Sequence, residues 1–331
     1  MFVKHMSKCH VAIKFGDTTS HLSCICRWLF FALAVLLLSA CSTVPEKTET
    51  VTQVTSPVAP AAVRAPPKIA LALGGGGTRG FAHIGVIKAL EAQGIVPDII
   101  VGTSVGSVIG ALYAAGYSGF QLQDMAIQME EQDVIDQSWL NLNLPALILR
   151  PIKGDVLEGY INRAVQQQPL EKLKRKFAVV ATDLHSGEMI VFRAGNSGMA
   201  VRASSAVPGV FEPVRINGRY YVDGGLVRPV PVSVARSLGA DFVIAVDISN
   251  SPKSNKTENR LDELLQTFDI MSQTINQYEL PGADVTVKPD ISKINQTNLM
   301  GRHLAVLEGE KAAAAIMPGL KAKLAKLRKE H

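Results

Sequence analysis

The chain has 331 residues, of which 47% are hydrophobic and 19% charged, a balance that excludes an intrinsically disordered protein and suffices for one large domain or two small ones. Its formal net charge is +5, but Lys4, Lys8, Lys14 and Arg27 against Asp17 put +3 of it in the first 40 residues. The remainder is nearly neutral, so the overall basicity is no nucleic-acid signal. All four cysteines (Cys9, Cys24, Cys26 and Cys41) come early, which rules out a disulfide or thiolate metal site downstream.

The first apolar run, Trp28–Leu38, follows Arg27. A bilayer span needs ~20 residues, and this run has instead the length of a signal-peptide core. It ends in Leu38-Ser39-Ala40-Cys41, which resembles the bacterial lipobox. That resemblance implies a signal peptide over residues 1–40, cleavage before Cys41, and lipid on the Cys41 sulfur. The competing reading is an ordinary secretory leader or an uncleaved anchor. Secretory leaders run ~15–30 residues, so Met1–Ser23 reads as an over-extended start. Position 42 is Ser rather than Asp. By analogy with lipoproteins of double-membraned bacteria, this predicts an outer-membrane location facing the periplasm. Ser42–Pro67 is rich in Thr, Pro, Val and Ala without apolar periodicity, so residues 41–67 read as a lipidated tether.

The folded part is expected over 68–318. Ile69–Leu73 is a short apolar run closed by glycines, a buried strand. Phe81–Gln93 reads as a helix stopped by Gly94, and Asp98–Val101 as a second strand. Val105–Ala115 carries no charge and many small residues, so it is predicted to be a helix packed close against a sheet. Further strands are expected at Phe177–Thr182, Met189–Phe192, Arg219–Val222 and Phe242–Val246, with a helix at Val230–Leu238. This alternation predicts a mainly parallel sheet covered on both faces. Ser251–Glu258 reads as a loop, Leu261–Tyr278 as an amphipathic helix, Asp284–Val287 as a strand and Gly301–Met317 as helix. A separate basic helix is expected over 319–331: Leu320, Leu324 and Leu327 share one face, and lysines crowd the others. It is either a solvated end or an interfacial helix that presses those leucines into a bilayer.

Three motifs carry chemistry. Gly102-Thr103-Ser104-Val105-Gly106 fits G-x-S-x-G between a strand and a helix, the context in which a serine hydroxyl is lifted into the open at a helix N-terminus. Gly74-Gly75-Gly76-Gly77-Thr78-Arg79-Gly80 is a glycine loop entering a helix, able to present backbone N–H groups to an anion. Gly75, Gly77 and Gly80 also match a dinucleotide fingerprint. However, Asp98 begins the second strand, whereas the ribose-binding acid belongs at that strand's other end. The remaining reading is an oxyanion hole beside Ser104. Asp223-Gly224-Gly225 ends a strand, where an Asp followed by glycines can approach a partner closely or simply cap a turn.

In this order the three motifs resemble those of bacterial patatin-like phospholipases, here in lipoprotein form. So do Ala82-His83-Ile84-Gly85-Val86, Lys153-Gly154-Asp155, Ala181-Thr182-Asp183-Leu184 and the stretch Arg202–Gly209. The resemblance covers about Lys68 to Met317. It implies a three-layer α/β/α sandwich, a Ser104–Asp223 dyad without catalytic histidine, and an oxyanion hole drawn from Gly75, Gly76, Gly77 and Thr78. Gly80, Gly102, Gly106, Gly224 and Gly225 are its motif glycines. The implied reaction is hydrolysis of a phospholipid, lysophospholipid or other acyl ester, with membrane lipid as substrate and no cofactor, metal or nucleic acid. The alternative is a lipoprotein that keeps the fold to bind lipid or a partner without catalysis. His303 follows Ser104 and Asp223 in the chain order of an α/β-hydrolase triad and is the one credible third member. His83 reads as a packed residue. Asp183 and Asp247, at strand ends, read as loop-bonding groups rather than direct catalysts, and Arg79 and Arg202 as structural ion-pair partners, the competing reading being groups that orient a lipid phosphate or hold the loop.

Overall fold

The computed structural model describes residues 65–133, 151–251, 260–294 and 299–330. The leader, Cys41, most of the tether and most of the 251–258 loop lie outside them. The described elements are, in chain order, β1 (Ile69–Leu73), α1 (Phe81–Glu91), β2 (Ile99–Thr103), α2 (Val105–Ala115), α3 (Gly119–Gln128), α4 (Asp155–Ala164), β3 (Lys176–Asp183), β4 (Met189–Phe192), α5 (Ser197–Ser204), β5 (Val214–Ile216), β6 (Arg219–Asp223), α6 (Val232–Ser237), β7 (Phe242–Val246), α7 (Arg260–Glu279), β8 (Val285–Val287) and α8 (Arg302–Glu330).

The eight strands form one sheet in the order β5-β6-β3-β2-β1-β7-β8, with β4 also on β3. The run from β3 to β8 is parallel, as helical crossovers require. β4 and β6 pair antiparallel with β3, and β5 with β6, the β3–β4 and β5–β6 connections being short turns.

Side-chain alternation explains the layers. Leu71 and Leu73 of β1 point to a thick apolar layer shared with α1, α2 and α8. Ala70 and Ala72 point to the opposite face, where Val232, Val234 and Ala235 of α6 pack against Val101, Val180 and Ala245. Bulky residues fill the many-helix side, and alanines let α6 lie close on the other. The result is an α/β/α sandwich.

One detail of register positions the site. Thr103, the last residue of β2, pairs with Val180 of β3, and Asp223, the last residue of β6, pairs with Ala181. β4 pairs with these same β3 residues, Val180 and Ala181. A strand has two edges, so β2 and β6 must share the other one. β2 runs parallel to β3 and β6 antiparallel, so their C-terminal ends meet head-on. Gly224 is needed at the junction, because a Cβ there would lie 2.2 Å from the Val180 carbonyl.

The C-terminal expectation is corrected. Residues 302–330 form one helix with Pro318 inside it, rather than two helices separated there. Leu320 and Leu324 are buried in the main core, and Leu327 packs against it. Those leucines are therefore spoken for by the protein and are not presented to a bilayer.

Candidate active site

Ser104 sits between β2 and α2 with φ 52° and ψ −128°, a conformation that L-residues avoid. The flanking glycines make the turn possible. A Cβ on Gly102 would lie 2.4 Å from the Gly106 carbonyl, and one on Gly106 would lie 2.2 Å from the Leu73 carbonyl. Gly80 is equally constrained, since a Cβ there would strike the Val105 side chain. The Ser104 N–H donates to the Ser204 hydroxyl at 2.8 Å, and that hydroxyl donates to the Val180 carbonyl at 2.6 Å. Ser204 is buried and ties the elbow to β3 where β2 and β6 meet. It lies inside the Arg202–Gly209 stretch, but this bracing role was not readable there, because it depends on a contact 100 residues away.

Asp223 faces Ser104 across that junction. Its carboxylate accepts the Gly225 N–H at 2.7 Å, and the Ser104 hydroxyl lies close enough to favour its charged form. The strand end is fixed by Thr182 Oγ1 donating to the Asp223 carbonyl at 2.8 Å and by the Asp223 N–H donating to the Ala206 carbonyl at 3.0 Å. Burial raises the carboxyl pKa to about 6, against the opposing pull of the Gly225 N–H and the nearby Ser104 hydroxyl. Gly225 matters through its N–H and Gly224 through the close approach described above.

The glycine loop passes directly beside the serine, with a Cβ on Gly75 reaching 3.2 Å from the Ser104 Cβ. Gly75 itself is removed from the expected oxyanion donors. The Gly74 N–H continues the β1–β7 ladder to the Val246 carbonyl at 3.1 Å, and the Gly75 N–H is taken by the Pro229 carbonyl at 3.0 Å. Gly76, Gly77 and Thr78 line the cleft with Ser104 and Asp223. The N–H groups of Gly76 and Gly77 have no acceptor among the described residues. Gly77 has φ 58°, the left-handed region open to glycine, which turns the chain into the short helical turn ahead of α1.

The cleft has a volume of about 300 Å³. Its walls are mostly apolar, with Phe81, Val108, Ile109, Leu157, Phe211 and Phe268 among them. A hydroxyl, a carboxylate and a glycine loop with backbone donors unpaired among the described residues therefore line one apolar cleft, the arrangement expected of an acyl-transfer site.

The other candidate residues have structural partners. His83 is buried, with Nε2 2.8 Å from the Gly74 carbonyl, and burial lowers its pKa to about 4. His303 is exposed on α8 and does not line the cleft. Asp183 accepts the His185 and Ser186 N–H groups and pairs with Arg219. Asp247 bonds Ser249 and Lys288. Arg202 pairs with Asp155 and Glu158, joining α5 to α4. Asp98 accepts the Ile69 N–H at the opposite end of the sheet from the glycine loop, which removes it as a ribose ligand. Among the described residues there is no group of three or more histidines, cysteines, aspartates or glutamates that could hold a metal ion. None of the described helices is long and apolar enough to cross a membrane.

The family model for patatin-like phospholipases matches residues 71–236. An NTE family protein of Mycobacterium tuberculosis is 36% identical over 198 residues, 58% of this chain and 53% of that protein. Human patatin-like phospholipase domain-containing protein 6 is 33% identical over 229 residues, 68% of this chain and 16% of that protein. The chain thus spans about half the length of the first relative and far less of the second. The crystal structure of VipD from Legionella pneumophila superposes with a TM-score of 0.50 at 14% identity, covering 77% of this chain and 67% of that one, a likeness of fold alone. The family model spans half of the chain and takes in both the G-x-S-x-G elbow and the Asp223 strand end, and the chain belongs to the patatin-like phospholipase family.

Proposed function

We propose that the protein is a lipid acyl hydrolase that uses Ser104 as nucleophile and Asp223 as general base. The observation that carries this reading is that Ser104, in its strained elbow, and the buried Asp223 carboxylate line the same apolar cleft. An ordinary aspartate is a weak base at neutral pH. With its pKa raised to about 6, Asp223 is more basic, yet still ionised at pH 7.

Ser104 Oγ attacks the ester carbonyl as its proton moves to Asp223. The tetrahedral oxyanion is met by the Gly76 and Gly77 N–H groups and by the positive end of α2. Asp223 returns the proton to the leaving alcohol, giving an acyl-serine. Water then attacks this ester, its proton passing to Asp223 and from there back to Ser104 Oγ as the fatty acid leaves. The apolar walls suit an acyl chain, so the substrate class is phospholipid, lysophospholipid or another acyl ester. Anchoring through a lipidated Cys41, on the periplasmic face of an outer membrane, would keep the domain beside such substrate while the tether allows it ~85 Å of reach at ~3.3 Å per residue.

The test is a fluorophosphonate probe with 4-nitrophenyl butyrate turnover as the parallel assay. The probe should attach to Ser104, and Ser104→Ala and Asp223→Asn should each abolish turnover in folded protein. Wild-type turnover by a folded Ser104→Ala variant would remove the serine from the reaction.

A further inference from the structure

Arg79 is fully buried, yet it stands in the wall of the cleft. Its Nε donates to the Gly76 carbonyl at 3.1 Å. Its Nη2 donates to Asp269 at 3.1 Å, and both side chains of that pair are buried. The third nitrogen, Nη1, is buried and has no hydrogen-bond partner among the described residues. A guanidinium fully withdrawn from water is costly, and burial pulls its pKa down while Asp269 opposes the change. Such an arrangement calls for a reason beyond packing, and the geometry supplies one.

A peptide unit is planar, with its C=O and N–H on opposite sides. Whatever grips the Gly76 carbonyl therefore fixes the direction of the Gly77 N–H. Arg79 makes that grip, and the fork of its guanidinium lets Nη2 be held by a second group at the same time. The second group is Asp269 on α7. This helix lies beyond residues 71–236, the part of the chain that the family model matches. α7 also brings Leu265, Phe268 and Ser272 to the cleft wall, so the face that carries Asp269 is the face that bounds the substrate space.

We propose that Asp269 is a positioning residue for the oxyanion loop: through Arg79 it holds the Gly76–Gly77 peptide with the Gly77 N–H turned toward Ser104. The inference rests on the Ser104–Asp223 hydrolase reading and deepens it. It makes turnover depend on a helix outside the matched domain. α7 then does two things with one face, walling the acyl space and setting the loop that stabilises the transition state.

The experiment compares Asp269→Asn, Asp269→Glu, Arg79→Lys and the double variant Arg79→Leu/Asp269→Leu in the full chain, each checked for folding by thermal unfolding and assayed on 4-nitrophenyl butyrate. A donor that is present but misdirected should cost about 10- to 100-fold, less than the ~10²–10³ in kcat for losing one outright. Asp269→Asn and Arg79→Lys should therefore lower kcat about 10- to 100-fold, with KM changed less than about twofold, because the ground-state ester makes little use of the hole. Asp269→Glu should recover part of the loss. The double variant removes both charges together and is the one in which a purely structural pair would be dispensable; it should fold and still show the kcat loss. Arg79→Lys keeps the charge partner for Asp269 but not the fork, so it reports on the loop even if Asp269→Asn fails to fold. Wild-type kcat in folded Asp269→Asn, in folded Arg79→Lys or in the folded double variant overturns the inference and leaves the hydrolase reading standing. Absence of fluorophosphonate label on Ser104 in the wild type overturns both.

Discussion

Ser204 holds Ser104 in place: its hydroxyl accepts the Ser104 N–H at 2.8 Å and donates to the Val180 carbonyl at 2.6 Å. Ser104 occupies strained backbone space, and such a conformation persists only where its surroundings over-determine it. Ser204→Ala removes an acceptor and a donor at once and leaves two backbone groups unsatisfied. Each such group costs ~1–3 kcal/mol when buried. The variant should lose about 2–4 kcal/mol in urea unfolding, the sum of two such terms with some relaxation. It should also lose about tenfold in kcat as the elbow relaxes. Unchanged kcat in Ser204→Ala would show that the elbow holds its own shape.

Asp223 links activity to pH and to stability. The proposed mechanism needs the base deprotonated, so kcat/KM should rise with pH through about 6 and reach a plateau near neutrality. Its folded-state pKa of about 6 exceeds the ordinary ~3.9 of a free aspartate. The unfolded chain therefore gives up this proton first. Asp223 contributes no penalty below ~pH 4. Between there and about 6 its ionisation progressively destabilises the fold, and above about 6 the penalty is constant. Asp223→Asn should then be inactive and, at pH 7, more stable by about 2–3 kcal/mol. Its stability advantage should vanish when unfolding is measured near pH 4. An advantage that is the same at both pH values would assign it to something other than the carboxylate's charge. His303→Ala, an exposed position away from the cleft, should keep kcat within about twofold, against the ~10⁴-fold loss that follows removal of a triad member.

Much of this site was legible because its signals are local. β1, β4 and β7 have the bounds the sequence suggests, and the elbow glycines announce a turn that only glycine permits. What escaped is long-range. Nothing near Gly75 says that Pro229 will take its N–H, and nothing near Arg79 points to Asp269, 190 residues on. α3, α4, α5 and β5 were absent from the sequence reading. α3 had a usable signal, the Ser118–Gln121 capping box, which the structure forms in both directions. β5 is three residues long, too short for a periodicity. Pro318 sits between the two C-terminal helices expected from the sequence, at a point where a proline removes a helical N–H and crowds the preceding turn. The helix runs through it, with Met317 and Leu320 buried on either side of the proline, so packing outweighs the local preference.

The proposed anchor makes a separate prediction. Cys41→Ser should abolish lipid attachment and release the protein from the membrane fraction, while soluble-ester turnover by the folded domain stays at wild-type level. Mass spectrometry that finds an unmodified Cys41 in protein from the native membrane would sink the lipoprotein reading without touching the hydrolase.

The last prediction concerns what α8 is for. The helix lies along α1, and the two approach so closely that their glycines face each other's backbones. A Cβ on Gly85 would lie 1.9 Å from the Val306 carbonyl, and one on Gly309 would lie 2.0 Å from the Ala82 carbonyl. A methyl group there meets main chain on both sides, where no side chain can swing away, so Gly309→Ala should cost about 3 kcal/mol, the upper end of overpacking. Further along, Leu320 is fully buried, and truncating a buried leucine costs ~2–5 kcal/mol. Lys321 and Lys323 are occupied as well, with Gln93 and the Asp284 carbonyl. Leu320→Ala and deletion of residues 319–331 should therefore act on stability, lowering the unfolding midpoint. In unlipidated protein, neither should change binding to anionic vesicles under conditions where the domain stays folded. α1 begins at the glycine loop, so loosening α8 should also reach the site, and kcat should fall in step with stability across these variants. Vesicle binding lost on deletion with the unfolding midpoint unchanged would restore the interfacial reading of the C-terminal helix.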